Sequence, residues 1–565
     1  MIKERINQIK KKFQECGIDG YIIPKNDEVF SEYSNKDRLK FISNFSGSAG
    51  YAIILKNKNY LFVDGRYNIQ ANFEAGDNFK IVKYEKIFNC DLFKKLTIGI
   101  DPQLFTSEQI KRFFIKNNFI KIIKTNLIDN ISKNYPEKKK LFYSLDDKII
   151  GESHKKKIER VSKFLRQKKL DYLFVSAPEN VAWLLNIRGY DNPCSPIPNC
   201  RLFLDKKKNF FLISEKYKAK NLIANKHISK NQFISTNKYN FFLDKIKKGK
   251  IFIDKNSCSI FNENLLKKRF KVIKGDDPIY FFKSIKNKFE INHTIKAHIV
   301  DGVALTKFLY WIKKINKKNI TEFDAVKKLE TFRKKNKDYL FPSFDTIAGT
   351  GKNGAIVHYR VNKKTASTIK KKDIFLCDSG GQYKYGTTDV TRTICFSKPK
   401  NSIKNIYTRV LKGHIAVATA NLKKSFNGKL IDQKARKYLN EIGLDYEHGT
   451  GHGVGFYLNV HEGPQSITKY NKIKLIEGMI LSNEPGYYKK NKFGIRIENL
   501  VYIKKSNRKL HFQNLTMVPI EKELIDQKQL SQKEKNYLFK YNFEVYSRLS
   551  EFLTKNEKKW LSSFL

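Results

Sequence analysis

The chain has 565 residues, 41% of them hydrophobic and 13% aromatic, which is enough apolar material for buried cores and excludes a disordered protein. At about 150 residues per domain, the length predicts roughly three domains. The 111 Lys and Arg residues against 55 Asp and Glu give a formal net charge of +56. Because these basic residues are spread along the chain without a compact Arg-rich patch, the charge favours a biased, solvated surface over a specific nucleic-acid site.

The cysteines and the apolar runs indicate the cellular compartment of the protein. Seven cysteines, an odd number without a CxxC pair, are typical of reduced thiols. The opening segment MIKERINQIKKKF is charged, and no stretch approaches 18 uninterrupted apolar residues. We therefore expect a cytoplasmic protein that does not associate with a membrane.

The first half of the chain contains a repeated pattern. A helical run over residues 6–13 leads into the strand-like IDGYIIP, and YAIIL and YLFVDGRY follow as further strands. The same order returns about 152 residues later, where a helical run over 158–165 leads into LDYLFVS. This repeat predicts two related α/β domains, at residues 1–150 and 151–289.

A third domain with an α+β pattern is predicted over residues 290–525. It opens on an amphipathic helix over 288–315, followed by helices over 323–332, 403–420 and 431–442. IFLCDSGGQY and TTDVTRTICFS are interpreted as a hairpin with an acid of each strand near its tight turn, and GVGFYLNV, MILSNEPGYY and GIRIENLVYI as further strands. Residues 526–565 are predicted to be a helical extension that packs on this domain or on a partner.

Five side chains of the third domain suggest a metal centre: Asp378, Asp389, His452, Glu484 and Glu498. The aspartates lie 11 residues apart on the predicted hairpin, the glutamates lie 14 apart on another strand pair, and the histidine lies in the glycine-rich GTGHGVG. Carboxylates that converge repel one another unless a cation lies between them, and four exceed what one hard ion usually takes. Two divalent ions are therefore expected; Mn²⁺ fits well, and Co²⁺ or Zn²⁺ could substitute.

Such a pair of ions points to hydrolysis. Two metals can hold a hydroxide at neutral pH and polarise a carbonyl, which is the chemistry of amide or ester cleavage. His358 and His461 are candidates to hydrogen-bond the carbonyl or the oxyanion, and His448 to shape the pocket. Glu484 could also accept the proton of the attacking water. His414, at helical spacing, is expected to be a packed helix residue instead of a ligand.

The local sequences resemble a known family. DSGGQYKYGTTDVTRT, HGTGHGVGFYLNVHEGP, LSNEPGYY and IRIENL are similar to the pita-bread metallopeptidases, and most closely to the long, three-domain form of aminopeptidase P. FISNFSGSAG, VDGRYNIQA and VAWLLNIRGYDNPCSPIP resemble its first two domains, whereas the similarity is loose after Leu530. The implied fold is two related creatinase-like α/β domains followed by a pita-bread metallopeptidase domain.

The resemblance also implies roles for individual residues. Asp378 would bind one Mn²⁺ ion, His452 and Glu484 the other, and Asp389 and Glu498 would bridge the two. Glu484, His358 and His461 would take part in catalysis, and the peptide would contact these three residues together with His448, His452 and Arg66. The family further implies a homodimer, across which Arg66 could reach a peptide. Arg496 is expected to orient Glu498, with an exposed strand residue as the alternative.

These expectations lead to one function and two alternatives. The chain is expected to remove the N-terminal residue from peptides that have proline in the second position, where the bond lacks the N–H on which general peptidases rely. A prolidase restricted to Xaa-Pro dipeptides is one alternative. A non-catalytic pita-bread protein that binds nucleic acid or protein is the other, and the charge of +56 would suit it.

Overall fold

A computed structural model describes residues 1–88, 91–113, 119–132, 140–315 and 320–565. The chain divides into two compact units, Met1–Tyr280 and Phe281–Leu565. The boundaries predicted near residues 150, 289 and 525 stay predictions. Cys90 lies outside the described residues, and the other six cysteines are free thiols.

The first unit is built on two six-stranded mixed sheets. Its strands, β1 to β14, are Gly20–Pro24, Tyr51–Leu55, Asn59–Val63, Lys80–Lys83, Thr97–Ile100, Phe119–Ile122, Tyr143–Ser144, Tyr172–Val175, Ile187–Arg188, Arg201–Asp205, Phe210–Ser214, Phe233–Ser235, Lys250–Asp254 and Lys271–Gly275. Its helices, α1 to α11, are Ile2–Lys11, Phe13–Cys16, Arg38–Ser43, Asn68–Ala75, Ser107–Phe113, Asp147–Ile150, His154–Gln167, Pro178–Leu185, Lys220–Ala224, Tyr239–Lys245 and Ile260–Lys267. Helix α12, Pro278–Ser284, spans the boundary of the two units.

The two sheets have the same strand order. One runs β4-β3-β2-β1-β5-β6 and the other β12-β11-β10-β8-β13-β14. In both, the first strand pairs antiparallel with the second and parallel with the fifth, so order and direction both repeat. The predicted duplication is therefore confirmed at the level of the fold. The two predicted opening helices correspond to α1 and α7, which bury Ile6, Ile9, Val161 and Leu165.

The second unit contains the remaining helices and strands. Its helices, α13 to α18, are Lys288–Lys314, Glu322–Arg333, Asn401–Ala418, Gly428–Asn440, Gln532–Leu549 and Lys555–Ser562. Its strands, β15 to β27, are Tyr339–Pro342, Ile347–Thr350, Ile374–Ser379, Gly381–Tyr383, Gly386–Thr387, Val390–Cys395, Gly451–Gly453, Glu462–Ile467, Ile480–Asn483, Gly486–Lys489, Phe493–Arg496, Asn499–Ser506 and Lys509–Asn514. The four predicted helices of the third domain are α13 to α16, with ends shifted by up to three residues.

The predicted hairpin is formed by β17 and β20, but it has no tight turn. The two strands pair antiparallel as far as Ser379 opposite Val390. Between these residues the chain leaves the ladder to form β18 and β19, which belong to another sheet with β15. The acids therefore lie where the chain leaves and rejoins the ladder, not beside a turn.

The prediction of a strand over GVGFYLNV was wrong. Only Gly451–Gly453 is extended, as β21, and the chain then folds into a buried loop. In this loop the backbone N–H of Gly455 donates to the carbonyl of Asn459, and Tyr457 has a φ of 49°, which no strand can accommodate. The aromatic side chains of the segment, Phe456 and Tyr457, are buried as expected.

The C-terminal helices pack within the second unit. Helix α17 buries Leu538, Val545 and Leu549 in the same core as Tyr407 and Leu411 of α15. A capping box between Ser531 and Glu534 sets the start of α17. None of the helices in the described part of the chain combines the length and apolarity that crossing a membrane requires.

Candidate active site

The two aspartates are positioned by the β17 and β20 ladder. Asp378 lies on β17 directly opposite Thr391, and Asp389 immediately precedes β20. Both side chains are buried, at 10% and 6% exposure. The strands are apolar and β-branched enough to form a buried ladder, so the acids enter the interior because their backbone does.

The two glutamates lie at a break between two strand ladders. The pairing of β23 with β26 ends at Asn483 opposite Asn499, and the pairing of β24 with β25 begins at Gly486 opposite Arg496. Glu484 and Glu498 occupy this break on opposite strands. Residues in a break are free of the alternation of a continuous ladder, which allows both side chains to turn to one side.

His452 lies on the short strand β21 with its tautomer set by its own backbone. Its Nδ1 lies 2.9 Å from the carbonyl oxygen of Gly453 and must donate to it. In the neutral ring the lone pair is then on Nε2, which lies 3.4 Å from Asp389 and 3.5 Å from Glu484. A neutral imidazole held in this way is the form that binds a metal.

Three of the five predicted ligands converge in the structure. One ligand atom from each of Asp389, His452 and Glu498 lies within 4.8 Å of the others. Ser482 connects His452 to Glu484, because its hydroxyl accepts from the His452 backbone N–H at 2.9 Å and donates to Glu484 at 3.1 Å.

The electrostatics of this cluster are those of a site built for cations. Burial, and then repulsion from the neighbouring carboxylates, raise the pKa of Asp389 and the pKa of Glu498 well above their ordinary range. Four carboxylates with one guanidinium, that of Arg496, leave a formal charge of −3 around a neutral imidazole. Two divalent ions would offset this charge.

A buried oxygen without a partner supports the same conclusion. Oδ2 of Asp378 accepts from Arg496 at 2.6 Å, whereas its Oδ1 is buried without a hydrogen-bond partner among the described residues. Leaving such an atom unpaired costs about 1–3 kcal/mol. Hard oxygen donors with one imidazole fit a divalent ion such as Mn²⁺, so the residues present fit a metal pair.

Arg496 is buried, at 1% exposure, so the exposed alternative was wrong. It contacts Asp378 directly, and its Nε donates at 3.1 Å to Thr391, whose hydroxyl donates to Glu498 at 2.8 Å. It therefore bonds to one aspartate and reaches Glu498 only through Thr391. It also donates to the hydroxyl of Tyr488.

Of the three other predicted histidines, His461 contacts a candidate ligand directly. The ring of His461 lies 4.3 Å from that of His452, edge to face. His358 follows Val357, whose carbonyl accepts from Arg496 at 3.3 Å. His448 has partners at both ring nitrogens, because Nδ1 donates to Gly449 and Nε2 accepts from Tyr488.

Arg66 lies in the other compact unit. Its guanidinium is paired with Asp64 through two hydrogen bonds, of 2.9 and 2.7 Å. Its proposed contact with a peptide stays a prediction.

The sequence analysis missed the residues that hold the ligand strands from behind. Asp301 accepts from Arg333, Tyr383 and Thr388, and Arg333 also donates to Ser379. Thr388 and Ser379 are the chain neighbours of the two aspartates. No pattern in the sequence near Asp301 signals these contacts, which join segments far apart in the chain. The sequence near Arg392 likewise gives no signal of the contacts of that residue beyond its position in the TRT motif.

A second such residue is Glu322 on α14. Its carboxylate accepts from Asn353, Tyr359 and the backbone N–H groups of Thr350 and Ser367, at 2.7–3.0 Å. These contacts hold the loop that carries His358.

The comparison with known proteins follows this geometry. Residues 292–505 match the model of metallopeptidase family M24, and 508–563 match the C-terminal region of peptidase M24. Residues 5–125 and 133–290 each match the creatinase/prolidase N-terminal domain.

Curated relatives match over the whole chain. A probable Xaa-Pro aminopeptidase P of Laccaria bicolor is 35% identical, covering 99% of this chain and 92% of its own. Xaa-Pro aminopeptidase 1 of Dictyostelium discoideum is also 35% identical, covering 100% of this chain and 96% of its own.

Solved structures agree. X-prolyl aminopeptidase of Caenorhabditis elegans, described as a cytosolic enzyme with a di-nuclear active site, matches with a TM-score of 0.92 at 29% identity, over 100% of this chain and 99% of its own. Prolidase of Pyrococcus furiosus matches with a TM-score of 0.52 at 27% identity, over 63% of this chain and 98% of its own.

The fold and the buried acidic centre are those of a pita-bread hydrolase with creatinase-like N-terminal domains. The chain belongs to metallopeptidase family M24.

Proposed function

We propose that this chain is an Xaa-Pro aminopeptidase, which releases the N-terminal residue from peptides that have proline in the second position. The observation that carries the proposal is the buried convergence of Asp389, His452 and Glu498, with ligand atoms within 4.8 Å. Glu484 lies 3.5 Å from the same imidazole, and Asp378 bonds to the Arg496 that reaches Glu498 through Thr391. A protein that only binds a partner would have no need for this uncompensated negative charge in its interior.

The residues that would hold the metals follow from this arrangement. Asp378 would hold one ion, His452 and Glu484 the other, and Asp389 and Glu498 both, with Mn²⁺ as the proposed ion. When bound, the two ions would polarise the scissile carbonyl and lower the pKa of water. The raised pKa values of Asp389 and Glu498 without metal agree with this assignment, since burial first, and then the charges of neighbouring carboxylates, disfavour their ionised forms when no cation is present.

The protein side chains would bind the peptide and move the proton. Glu484 would accept a proton from the attacking water through its carboxylate, which is 18% exposed and is therefore accessible from the site. His461 and His358 would hydrogen-bond the substrate at the scissile carbonyl, with His452 and His448 lining the same pocket. Tyr488 fixes the orientation of His448, because its hydroxyl lies 2.9 Å from Nε2.

The extent of the likenesses favours an aminopeptidase over a prolidase. The likeness to the Caenorhabditis elegans X-prolyl aminopeptidase covers the whole chain, whereas that to the Pyrococcus furiosus prolidase covers 63% of it. The part of this chain outside that match would offer a longer peptide additional contacts. We therefore extend the proposal to Arg66 as a contact for the peptide and to a homodimer.

The test compares two substrates. An Xaa-Pro-Pro tripeptide and the matching Xaa-Pro dipeptide are incubated with Mn²⁺-loaded protein and with the same protein after EDTA. We expect cleavage of the tripeptide only, lost with EDTA and restored by Mn²⁺, and no cleavage of a control Xaa-Ala-Pro peptide. Cleavage of the dipeptide alone would establish a prolidase. No cleavage of either peptide by folded, metal-loaded protein would refute the proposed function.

A further inference from the structure

Arg392 is a buried arginine that bonds to neutral oxygens. It lies on β20 at 1% exposure, and no salt bridge within the described ranges includes it. All three of its nitrogens donate, at 2.6–3.0 Å, to the carbonyls of Thr391, Glu498, Val518 and Pro519, the amide oxygen of Asn499 and the hydroxyl of Tyr541. A guanidinium has five N–H groups in a rigid plane, so this arrangement fixes the relative positions of four chain segments.

The most consequential of these segments carries Glu498. The Glu498 carbonyl accepts from Arg392 at 2.6 Å, and its backbone N–H donates to the Thr391 carbonyl at 3.1 Å. Its carboxylate accepts from the Thr391 hydroxyl at 2.8 Å. Thr391 and Arg392 therefore hold this glutamate by both backbone groups and by one carboxylate oxygen. The carboxylate also lies against Asp389 and His452, with one atom of each of the three residues within 4.8 Å of the others.

The C-terminal extension supplies the far side of the guanidinium. Tyr541 lies on α17 at 3% exposure, accepts from Arg392 at 3.0 Å and donates to the Val518 carbonyl at 2.7 Å. The same hydroxyl accepts from the Val518 backbone N–H at 3.4 Å. The Tyr541 hydroxyl therefore contacts both backbone groups of Val518, whose carbonyl also accepts from Arg392. These contacts together restrain the plane of the guanidinium.

From these contacts we infer that Arg392 and Tyr541 are positioning residues of the metal centre, and that α17 is therefore part of the active-site machinery. The route runs from the Tyr541 hydroxyl through Arg392 to the backbone of Glu498. The inference rests on the proposed function in one respect, the assignment of Glu498 as a ligand. Outer partners of metal ligands typically change affinity by about 10–100-fold when they are lost.

Two tyrosines of the same helix make a matched pair for the test. Tyr541→Phe removes the hydroxyl on the route, and Tyr537→Phe removes a hydroxyl that accepts from Asn514 at 3.0 Å instead. The two rings are stacked, with centroids 6.5 Å apart, so the variants share their surroundings. Each full-length variant is dialysed against buffered Mn²⁺ and assayed for metal per chain, and the visible spectrum of the Co²⁺ form reports ligand geometry.

We expect Tyr541→Phe to weaken the affinity for the more weakly held ion about tenfold and to change the Co²⁺ spectrum. Tyr537→Phe is expected to lower thermal stability without changing the metal affinity or the Co²⁺ spectrum. Arg392→Lys should give the larger loss, and the double variant should lose less than the sum of the two, because both act on one route. Equal metal affinity and spectrum in both tyrosine variants would overturn the inference.

The two proposals fail separately. A wild-type chain that takes up metal but cuts no Xaa-Pro peptide refutes the proposed function. The metal affinities of the variants still decide the role of α17. A wild-type chain that takes up no Mn²⁺ or Co²⁺ overturns both. If Arg392→Lys does not fold, Tyr541→Phe alone decides, since it removes a single oxygen.

Discussion

Asp389 lies beside three other carboxylates, and the cost of that arrangement is visible in its chemistry. Burial and the charges of Asp378 and Glu484 raise its pKa well above the ordinary range. The ionised form of this buried carboxylate is unfavourable without a cation and becomes favourable beside one. We therefore expect its removal to affect metal binding first.

Asp389→Ala should therefore abolish activity. We expect kcat/KM to fall by about a thousandfold or more, because two polarising ions supply several kcal/mol and a carboxylate that serves both is lost. Metal per chain, measured after dialysis, should fall from two towards one or none. Asp338→Ala, which removes a carboxylate from the turn before β15, is the control. Full activity with two ions bound would contradict the assignment.

Arg496→Lys tests the residue that bonds to Asp378. Lysine keeps the charge but cannot reach Asp378, Thr391 and Tyr488 together, since it has one nitrogen in place of a planar fork. We expect metal affinity and kcat to fall by about 10–100-fold, with KM changed less. Wild-type rates and affinity would show that charge alone is required at this position.

At the scale of elements, two helices hold the aspartate strands. Asp301 on α13 and Arg333 on α14 form an ion pair of 2.8 Å with side chains 4% and 1% exposed. The same aspartate accepts from Tyr383 and Thr388, and Thr388 directly precedes Asp389. A buried pair that also satisfies two hydroxyls fixes the helices against the strands.

Asp301→Asn should destabilise the second unit strongly. Breaking a buried pair leaves an uncompensated charge, at a cost of about 3–5 kcal/mol. Denaturant unfolding measures this loss. Asp345→Asn breaks an ion pair with Arg360 in which the carboxylate is 61% exposed, and it should cost less than about 1 kcal/mol. Equal costs for the two variants would contradict the structural argument.

Helix α15 carries a buried histidine that predicts a pH dependence. Burial lowers the pKa of His414 to about 3, and its Nδ1 lies 3.1 Å from the Asn483 carbonyl. The pKa is depressed from about 6.5, so its contribution to stability is full above pH 6.5 and is lost as pH falls towards 3. As expected from the sequence, this histidine is a packed residue and not part of the ligand cluster.

The wild type should lose stability on acidification faster than His414→Gln. The difference in slope is at most about 1.4 kcal/mol per pH unit between pH 6 and pH 4, because the unfolded chain takes up one more proton than the folded one. Chemical denaturation of both proteins across this range measures it. Parallel pH profiles would show that His414 is not buried in a neutral form.

At the scale of the whole molecule, the ligands are confined to one of two compact units. All five lie in Phe281–Leu565, whereas Met1–Tyr280 has its own cores. Units with separate cores commonly unfold in separate transitions. Metal binding should then stabilise one transition only.

Calorimetry with and without EDTA tests this expectation. A ligand at a hundredfold excess over its Kd stabilises by about 2.7 kcal/mol, which is a shift of roughly 4–5 °C for a unit of this size. We expect EDTA to lower one of two transitions by this amount and to leave the other in place. Asp389→Ala, which should hold fewer ions, should show a smaller shift with EDTA than the wild type. A single transition, or two that shift together, would contradict the division.

The candidate ligands could be proposed from the sequence because three of the five sit in short local patterns. HGTGHGVG, NEPG and DSGG combine turn glycines with a side chain of a type that can bind metals, and the local chain alone favours those backbones. The duplicated α/β domains could be predicted for the same reason, since the order of helix, turn and strand repeats within a short segment. The helices were set by apolar periodicity and capping residues, which are also local.

The tertiary structure alone decided what supports the site. Asp301 and Arg392 meet partners dozens to more than a hundred residues away, so no nearby residue indicates which buried oxygens they bond. The apolar composition of the loop after His452 predicts a strand, whereas packing of Tyr457 at a positive φ overrides that preference. Local patterns indicate which side chains are candidates to bind a metal, and the burial of polar groups, which requires a partner for each, specifies how they are held.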